Sequence, residues 1–188
     1  MSIVILSGST VGSKTRTAMD VVFDSVKKEY PEATVTLIDL ADYELVFSDG
    51  RNYREYTGDT KAVTQALMDA DVIFIGTPIF HASIPGSLKN VFDLLPQNGL
   101  RDKVVSLIVT AGSAKHYLIA ETLLKPILAY MKAQIVQTFV FMEERDFYRK
   151  EIVNEDALFR IERLIEDTFV LHQSYLAARK AKEEQYDF

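Results

Sequence analysis

Three short segments carry residue types that could bind a ligand with a phosphate at one end and a flat ring at the other. The first is Ser7-Gly8-Ser9-Thr10-Val11-Gly12-Ser13-Lys14-Thr15-Arg16-Thr17. It gathers hydroxyls, two glycines, a lysine and an arginine directly after an apolar run. Backbone N–H groups at a helix start, joined by hydroxyls and a cation, suit an anion. Neither G-x-x-x-x-G-K-[ST] nor G-x-G-x-x-G is present, so it is not a P-loop and is only weakly a dinucleotide fingerprint. The plainer alternative is a flexible turn with a helix cap, but its place after the first strand favours the phosphate reading.

The second segment is Thr77-Pro78-Ile79-Phe80-His81-Ala82-Ser83-Ile84-Pro85-Gly86-Ser87-Leu88-Lys89-Asn90. Its Pro78, Ile79, Phe80 and His81 could flank a flat ring. Taken alone, a core Phe80 and an exposed loop His81 is the better account. The third is Thr110-Ala111-Gly112-Ser113-Ala114-Lys115-His116. Gly112 lets the backbone approach a ligand, and Ser113 is suited to cap a turn; the two roles are compatible.

Other chemistries fit poorly. There is no cysteine, which removes disulfides, thiolate nucleophiles and iron–sulfur clusters, so redox work would fall to a bound cofactor. The three histidines, His81, His116 and His172, lack H-E-x-x-H spacing, and no metal site is expected. G-x-S-x-G is absent, which disfavours an α/β-hydrolase. Lys89 and Lys125 lie in apolar helical patterns and read as snorkelling or salt-bridged. Glu143-Glu144 and Lys182–Glu184 read as solvated faces. A net charge of -6 disfavours nucleic-acid binding. No apolar stretch approaches ~20 residues, so no membrane span is expected. The Met-Ser start, followed by an apolar run, does not read as a signal peptide, and cytoplasmic residence follows as the default.

The elements that must position these segments alternate. Apolar, β-branched runs predict strands over Ile3–Leu6, Thr34–Leu40, Asp71–Gly76, Lys103–Val109 and Ala133–Phe141. Helical spacing predicts helices over 13–30, 59–69, 85–95, 116–131 and 156–182, with Pro85 in a first turn and Pro126 as a break. The stretches 41–58 and 143–155 read as loops. Nearly continuous Val/Ile/Leu runs separated by helices imply a parallel sheet covered on both faces. No repeat or linker divides the chain, so residues 1–188 are expected to form a single domain.

Gly76-Thr77-Pro78-Ile79-Phe80 and Pro85-Gly86-Ser87-Leu88-Lys89-Asn90-Val91-Phe92-Asp93-Leu94-Leu95 resemble the G-[TS]-P-x-Y and P-G-x-L-K-N-x-[IFL]-D-x-[LF] segments of the NADPH-dependent FMN reductase family, within the flavodoxin-like superfamily. His116 with Leu124-Lys125-Pro126-Ile127-Leu128 is similar to a stretch of the branch that supplies reduced FMN to flavin-dependent sulfonate monooxygenases. The resemblance implies a flavodoxin-like three-layer α/β sandwich with a five-stranded parallel sheet in the order 2-1-3-4-5. It implies an NAD(P)H-dependent FMN reductase whose chemistry is borne by the flavin, with no catalytic side chain. Ser9, Ser13, Thr15 and Arg16 would hold the FMN phosphate. Pro78, Ile79, Phe80 and His81, with Ser83 nearby, would line the isoalloxazine, and Thr110, Gly112 and Ser113 its other edge. The family's usual first-loop arginine is Val11 here, and Phe80 stands where tyrosine is usual; Lys14 or Arg16 is left to supply the charge.

NADPH or NADH would be the reductant. The electrons would pass to a small-molecule acceptor, or reduced flavin to a monooxygenase. A homodimer or homotetramer is implied, with Leu45–Tyr56 and Leu118–Met131 as candidate contacts. Two alternatives stay open: a quinone or azo reductase with permanently bound FMN, and a non-enzymatic flavodoxin-like electron carrier.

Overall fold

The computed structural model describes residues 1–185. Strands β1 (Ser2–Ser7), β2 (Thr34–Asp39), β3 (Val72–Pro78) and β4 (Val104–Ala111) pair in parallel in the order β2-β1-β3-β4. The far side of β4 takes a strand in two pieces, β5 (Gln134–Ile135) and β6 (Val140–Glu143). The order and the parallel sense agree with the sequence expectation.

Alternation along the strands sends side chains to opposite faces. Val4, Leu6, Ile73, Ile75, Val105 and Leu107 pack with residues of α2 (Gly58–Asp69), α3 (Gly86–Leu94) and α4 (Lys125–Tyr130). Ile3, Ile5, Val72, Phe74, Val104 and Ile108 pack with α1 (Lys14–Glu29) and α5 (Glu155–Glu184). Both faces are apolar because both are covered, which is why β3 is buried along its whole length.

Four expectations are corrected. The fifth strand is not continuous: Val105 pairs with Ile135 and Ile108 with Val140, so three steps on β4 face five on its neighbour and two residues are extruded. The freed carbonyl of Gln137 accepts the Lys125 ammonium at 2.7 Å. The helix expected over 116–131 is a 3-10 turn (Ala114–His116), a π-helical turn (Ala120–Leu124) and the short α4. Pro126 lacks an N–H and crowds the carbonyl four residues back, and the wider turn, in which Lys125 N–H donates to Ala120 O, precedes it. Pro85 stands at the N-cap of α3, one residue before the helix. The stretch 143–155 is not a plain loop, since β7 (Phe147–Tyr148) and β8 (Glu151–Ile152) form a small antiparallel hairpin in it.

Helix α5 lies over β4 and β6. At its far end Tyr175 donates to Asp102 at 2.7 Å, and Arg179 pairs with the same carboxylate. His172, on its inner face, is 7% exposed. Burial pushes its imidazolium pKa below the ordinary 6.5, with Asp71 opposing. The unfolded chain therefore binds the proton more readily, and stability rises with pH and falls as pH drops through about 6.5. The urea midpoint is expected to drop between pH ~8 and ~6, and His172→Gln to flatten that slope. A slope unchanged in the variant would contradict the burial account.

Candidate functional site

The carboxyl ends of β1, β3 and β4 open on one cleft, of about 320 Å³. This is the position at which an open parallel sheet binds ligands. The cleft is lined by Val11, Gly12, Ser13, Lys14 and Thr15 from the first loop, Pro78, Ile79 and Phe80 after β3, and Thr110, Ala111 and Gly112 after β4. The three segments separated by up to 100 residues in sequence thus converge.

The first loop turns tightly over the sheet. Gly8 N–H donates to Gly76 O at 2.8 Å, and a Cβ at Gly8 would lie 2.9 Å from that carbonyl oxygen. Gly12 takes a left-handed φ of 78° at the outer bend. Ser9 is buried, and its hydroxyl donates to Val11 O at 2.5 Å, so it shapes the loop from within. Ser13 precedes α1 but does not cap it with its side chain. The first-turn amides of α1 are therefore left facing the cleft mouth without a side-chain acceptor, an arrangement that suits an anion. Thr15 Oγ1 lies 2.7 Å from Thr110 Oγ1 in a buried pair that ties α1 to β4 at the cleft floor.

The two cations of the loop separate. Arg16 turns away from the cleft and pairs with Asp20 at 2.7 Å, Asp39 at 2.9 Å and Asp42 at 3.5 Å. The hydrogen bonds it donates to Asp20 and Asp39 hold its pKa above the ordinary value. Lys14 lines the cleft, and its ion-pair partner is Glu144.

The opposite wall carries strained backbone. Phe80 and Ser83 exchange hydrogen bonds (2.9 and 3.0 Å) around a tight turn whose central residues, His81 and Ala82, have φ of 48° and 58°. Side-chain-bearing residues pay in strain for this geometry, which clusters at functional sites. Ile79 N–H is taken by Thr110 O (3.1 Å) and Phe80 N–H by Ser83 O, whereas the His81 and Ala82 amides at the tip of the turn have no protein partner among the described residues. Gly112 is exposed, and a Cβ there would meet nothing within 4 Å. Of the residues singled out from sequence, Ser13, Thr15, Pro78, Ile79, Phe80, Thr110 and Gly112 line the cleft. His81 and Ser83 sit in the adjoining turn, Ser113 follows Gly112, Ser9 lies beneath the loop, and Arg16 lies outside. Lys14, offered only as a substitute cation, is inside. No group of acidic or histidine side chains able to hold a metal occurs among the described residues.

The family model for NADPH-dependent FMN reductases matches residues 1–147. An NAD(P)H-dependent FAD/FMN reductase of Geobacillus thermodenitrificans is 37% identical over 175 residues, 93% of this chain and 95% of that protein. The NADH-dependent FMN reductase SfnF of Pseudomonas fluorescens is 32% identical over 66% of this chain and 67% of its own length. Among solved structures, the apo form of the NADH:FMN oxidoreductase EMOB superposes with a TM-score of 0.76 at 27% identity, covering 92% of this chain and 89% of that one. With the parallel sheet and the cleft at its carboxyl edge, these matches place the chain in the NADPH-dependent FMN reductase family, as an oxidoreductase that uses NAD(P)H and FMN.

Proposed function

We propose that FMN binds in the cleft at the carboxyl ends of β1, β3 and β4, in a single-domain enzyme. Its phosphate lies at the first turn of α1, and its ring between Pro78–Phe80 and Thr110–Gly112. The observation that carries this reading is the pairing, in one cleft, of an uncapped helix start and Lys14 with an apolar slot floored by Thr110. When bound, the isoalloxazine accepts a hydride from reduced nicotinamide and passes the electrons on.

The chain's own residues bind and orient. Ser13, Lys14 and Thr15 serve the phosphate, with Ser9 shaping the loop. Arg16 is restrained by its three carboxylates and fixes α1 against the end of β2. Pro78, Ile79 and Phe80 exclude water from one side of the ring, and the His81 and Ala82 amides, set by the turn closed at Ser83, supply donors for charge that develops on it. Thr110, Gly112 and Ser113 border the other edge.

FMN should bind at least about tenfold more tightly than riboflavin, the value of one charge-assisted contact of roughly 1.5 kcal/mol. Equal affinities in a fluorescence titration would remove the phosphate from the first turn of α1.

The recipient of the electrons is read as a small-molecule acceptor, or a flavin-dependent monooxygenase served with reduced flavin, as in the sulfonate-associated branch. A reductase fed by NAD(P)H works where that pool is held, so cytoplasmic placement belongs to the same reading. A homodimer or homotetramer is supported by the exposed Leu118, Leu123 and Tyr130 in one candidate contact segment. Sedimentation of the purified chain at micromolar concentration should return an oligomer; a monomer would end this part of the proposal.

A further inference from the structure

Lys14 lines the cleft, and Glu144 reaches it from just beyond the strand that borders β4. Lys14 opens α1 and lines the cleft. Glu144 follows directly on β6, whose Glu143 pairs in register with Ala111, itself part of the cleft lining. The two residues are 130 positions apart in sequence, and their side chains meet in an ion pair.

The turn that presents Glu144 is rigidly held. Glu143 N–H donates to Asp146 at 2.7 Å, and Asn154 donates to the other oxygen of Asp146 at 2.6 Å. Asp146 is buried, and Asn154 caps α5 by accepting from Asp156 N–H and Ala157 N–H. The backbone at Glu144 is thereby tied to both the sheet and the terminal helix. Its side chain, 68% exposed, is free to move.

The other charges nearby are engaged elsewhere. Arg16 is held by three carboxylates, and Glu143 pairs with Arg145 at 3.1 Å. Lys14 is thus the loop's cation with a single carboxylate partner among the described residues, and that partner is carried by a backbone held beside the proposed anion position.

We infer that Glu144 is an internal counter-ion that competes with the flavin phosphate for Lys14, so that binding FMN exchanges one partner of Lys14 for the other. The inference rests on the proposed placement of the phosphate at the first turn of α1. A phosphate entering there must displace Glu144 from Lys14 and then remain near the displaced carboxylate. Both effects lower affinity for the phosphate and none acts on the ring. Glu144 is a positioning residue: it acts through Lys14. The arrangement suits a flavin that must leave after reduction.

The test compares FMN with riboflavin, which lacks the phosphate, in wild type, Glu144→Gln, Lys14→Met and the double variant. Flavin fluorescence gives each dissociation constant, and thermal unfolding of the apo proteins checks that each variant folds. Glu144→Gln should bind FMN roughly three- to tenfold more tightly, the size of a lost exposed pair plus relieved like-charge repulsion, with riboflavin unchanged. Lys14→Met should weaken FMN alone. In the Lys14→Met background the gain from Glu144→Gln should shrink, because the exchange is gone.

An equal change for FMN and riboflavin would assign Glu144 a structural role and overturn the inference. So would an undiminished gain in the Lys14→Met background, which would leave simple repulsion. If wild type prefers FMN but Glu144→Gln changes nothing, the inference fails while the phosphate placement stands. If wild type does not distinguish FMN from riboflavin, the placement itself fails, and the inference with it.

Discussion

Replacing Gly112 with leucine is expected to weaken FMN binding at least about 100-fold, or roughly 2.7 kcal/mol, while leaving the stability of the apo protein within about 0.5 kcal/mol of wild type. Gly112 ends the β4 wall of the cleft, and its backbone does not require glycine, since its φ lies outside the left-handed region. A Cβ built there meets no protein atom within 4 Å and enters open space at the cleft, so a side chain at this position is expected to cost folding little. The volume it is expected to contest is the one proposed for the flavin. Gly112→Ala, with one methyl, should weaken binding far less. Fluorescence titration and urea unfolding on the same preparations separate the two effects. Wild-type affinity in Gly112→Leu would place the flavin elsewhere.

Gly76→Val should show the opposite pattern, in which stability falls first. Gly76 is buried on β3 beneath α1, and a Cβ there would collide with the side chain of Met19 and come within 3.1 Å of Thr15 Cγ2. Both neighbours sit on α1 and are buried. Overpacking of this kind costs about 1–3 kcal/mol for a small addition, and Gly76→Ala should lie in that range with Gly76→Val beyond it. Because α1 carries Ser13, Lys14 and Thr15 to the cleft, any shift that relieves the collision should also weaken FMN binding. Met19→Ala opens space against Gly76, so the Gly76→Ala and Met19→Ala costs should sum to more than the double variant loses. Additive costs in that cycle would mean the two positions are not in contact.

The two glycines illustrate what the sequence discloses and what it hides. Gly76 lies within β3 and Gly112 directly after β4, both beside motif residues, and both could be marked as places where the backbone needs room. Which one meets a helix and which borders the open cleft depends on packing between segments far apart in the chain. The strands were legible because continuous runs such as Val72-Ile73-Phe74-Ile75 are buried on both faces, and burial on both faces erases alternation. The split of the last strand was not, because the extrusion before Val140 depends on the register against β4. The interrupted helix before Met131 was half legible: Pro126 marked a break, but the π-helical turn that absorbs it leaves no local signature.

The site shows the same division. The cleft-lining members of the three motifs followed from their places at strand ends. Arg16 looked as suited to an anion as Lys14, since both are cations at the start of one helix. Helical geometry turns them to different sides, and Asp39, at the end of the neighbouring strand, settles Arg16 outside. Glu144 read as a solvated acid, because an ion pair spanning 130 residues has no trace in local sequence. The left-handed His81-Ala82 turn was likewise hidden, since neither residue is a glycine that would have announced it.

NAD(P)H oxidation at 340 nm under air, measured for wild type and Gly112→Leu with and without added FMN, tests the central claim most directly. The account predicts oxidation by wild type that depends on FMN and saturates with it, and little or none by the folded variant at the same flavin concentration. Equal FMN-dependent rates in both proteins would contradict the placement of the flavin in this cleft. A wild type that binds FMN and can be reduced chemically, yet oxidises neither NADPH nor NADH, would contradict the reductase reading and favour an electron carrier.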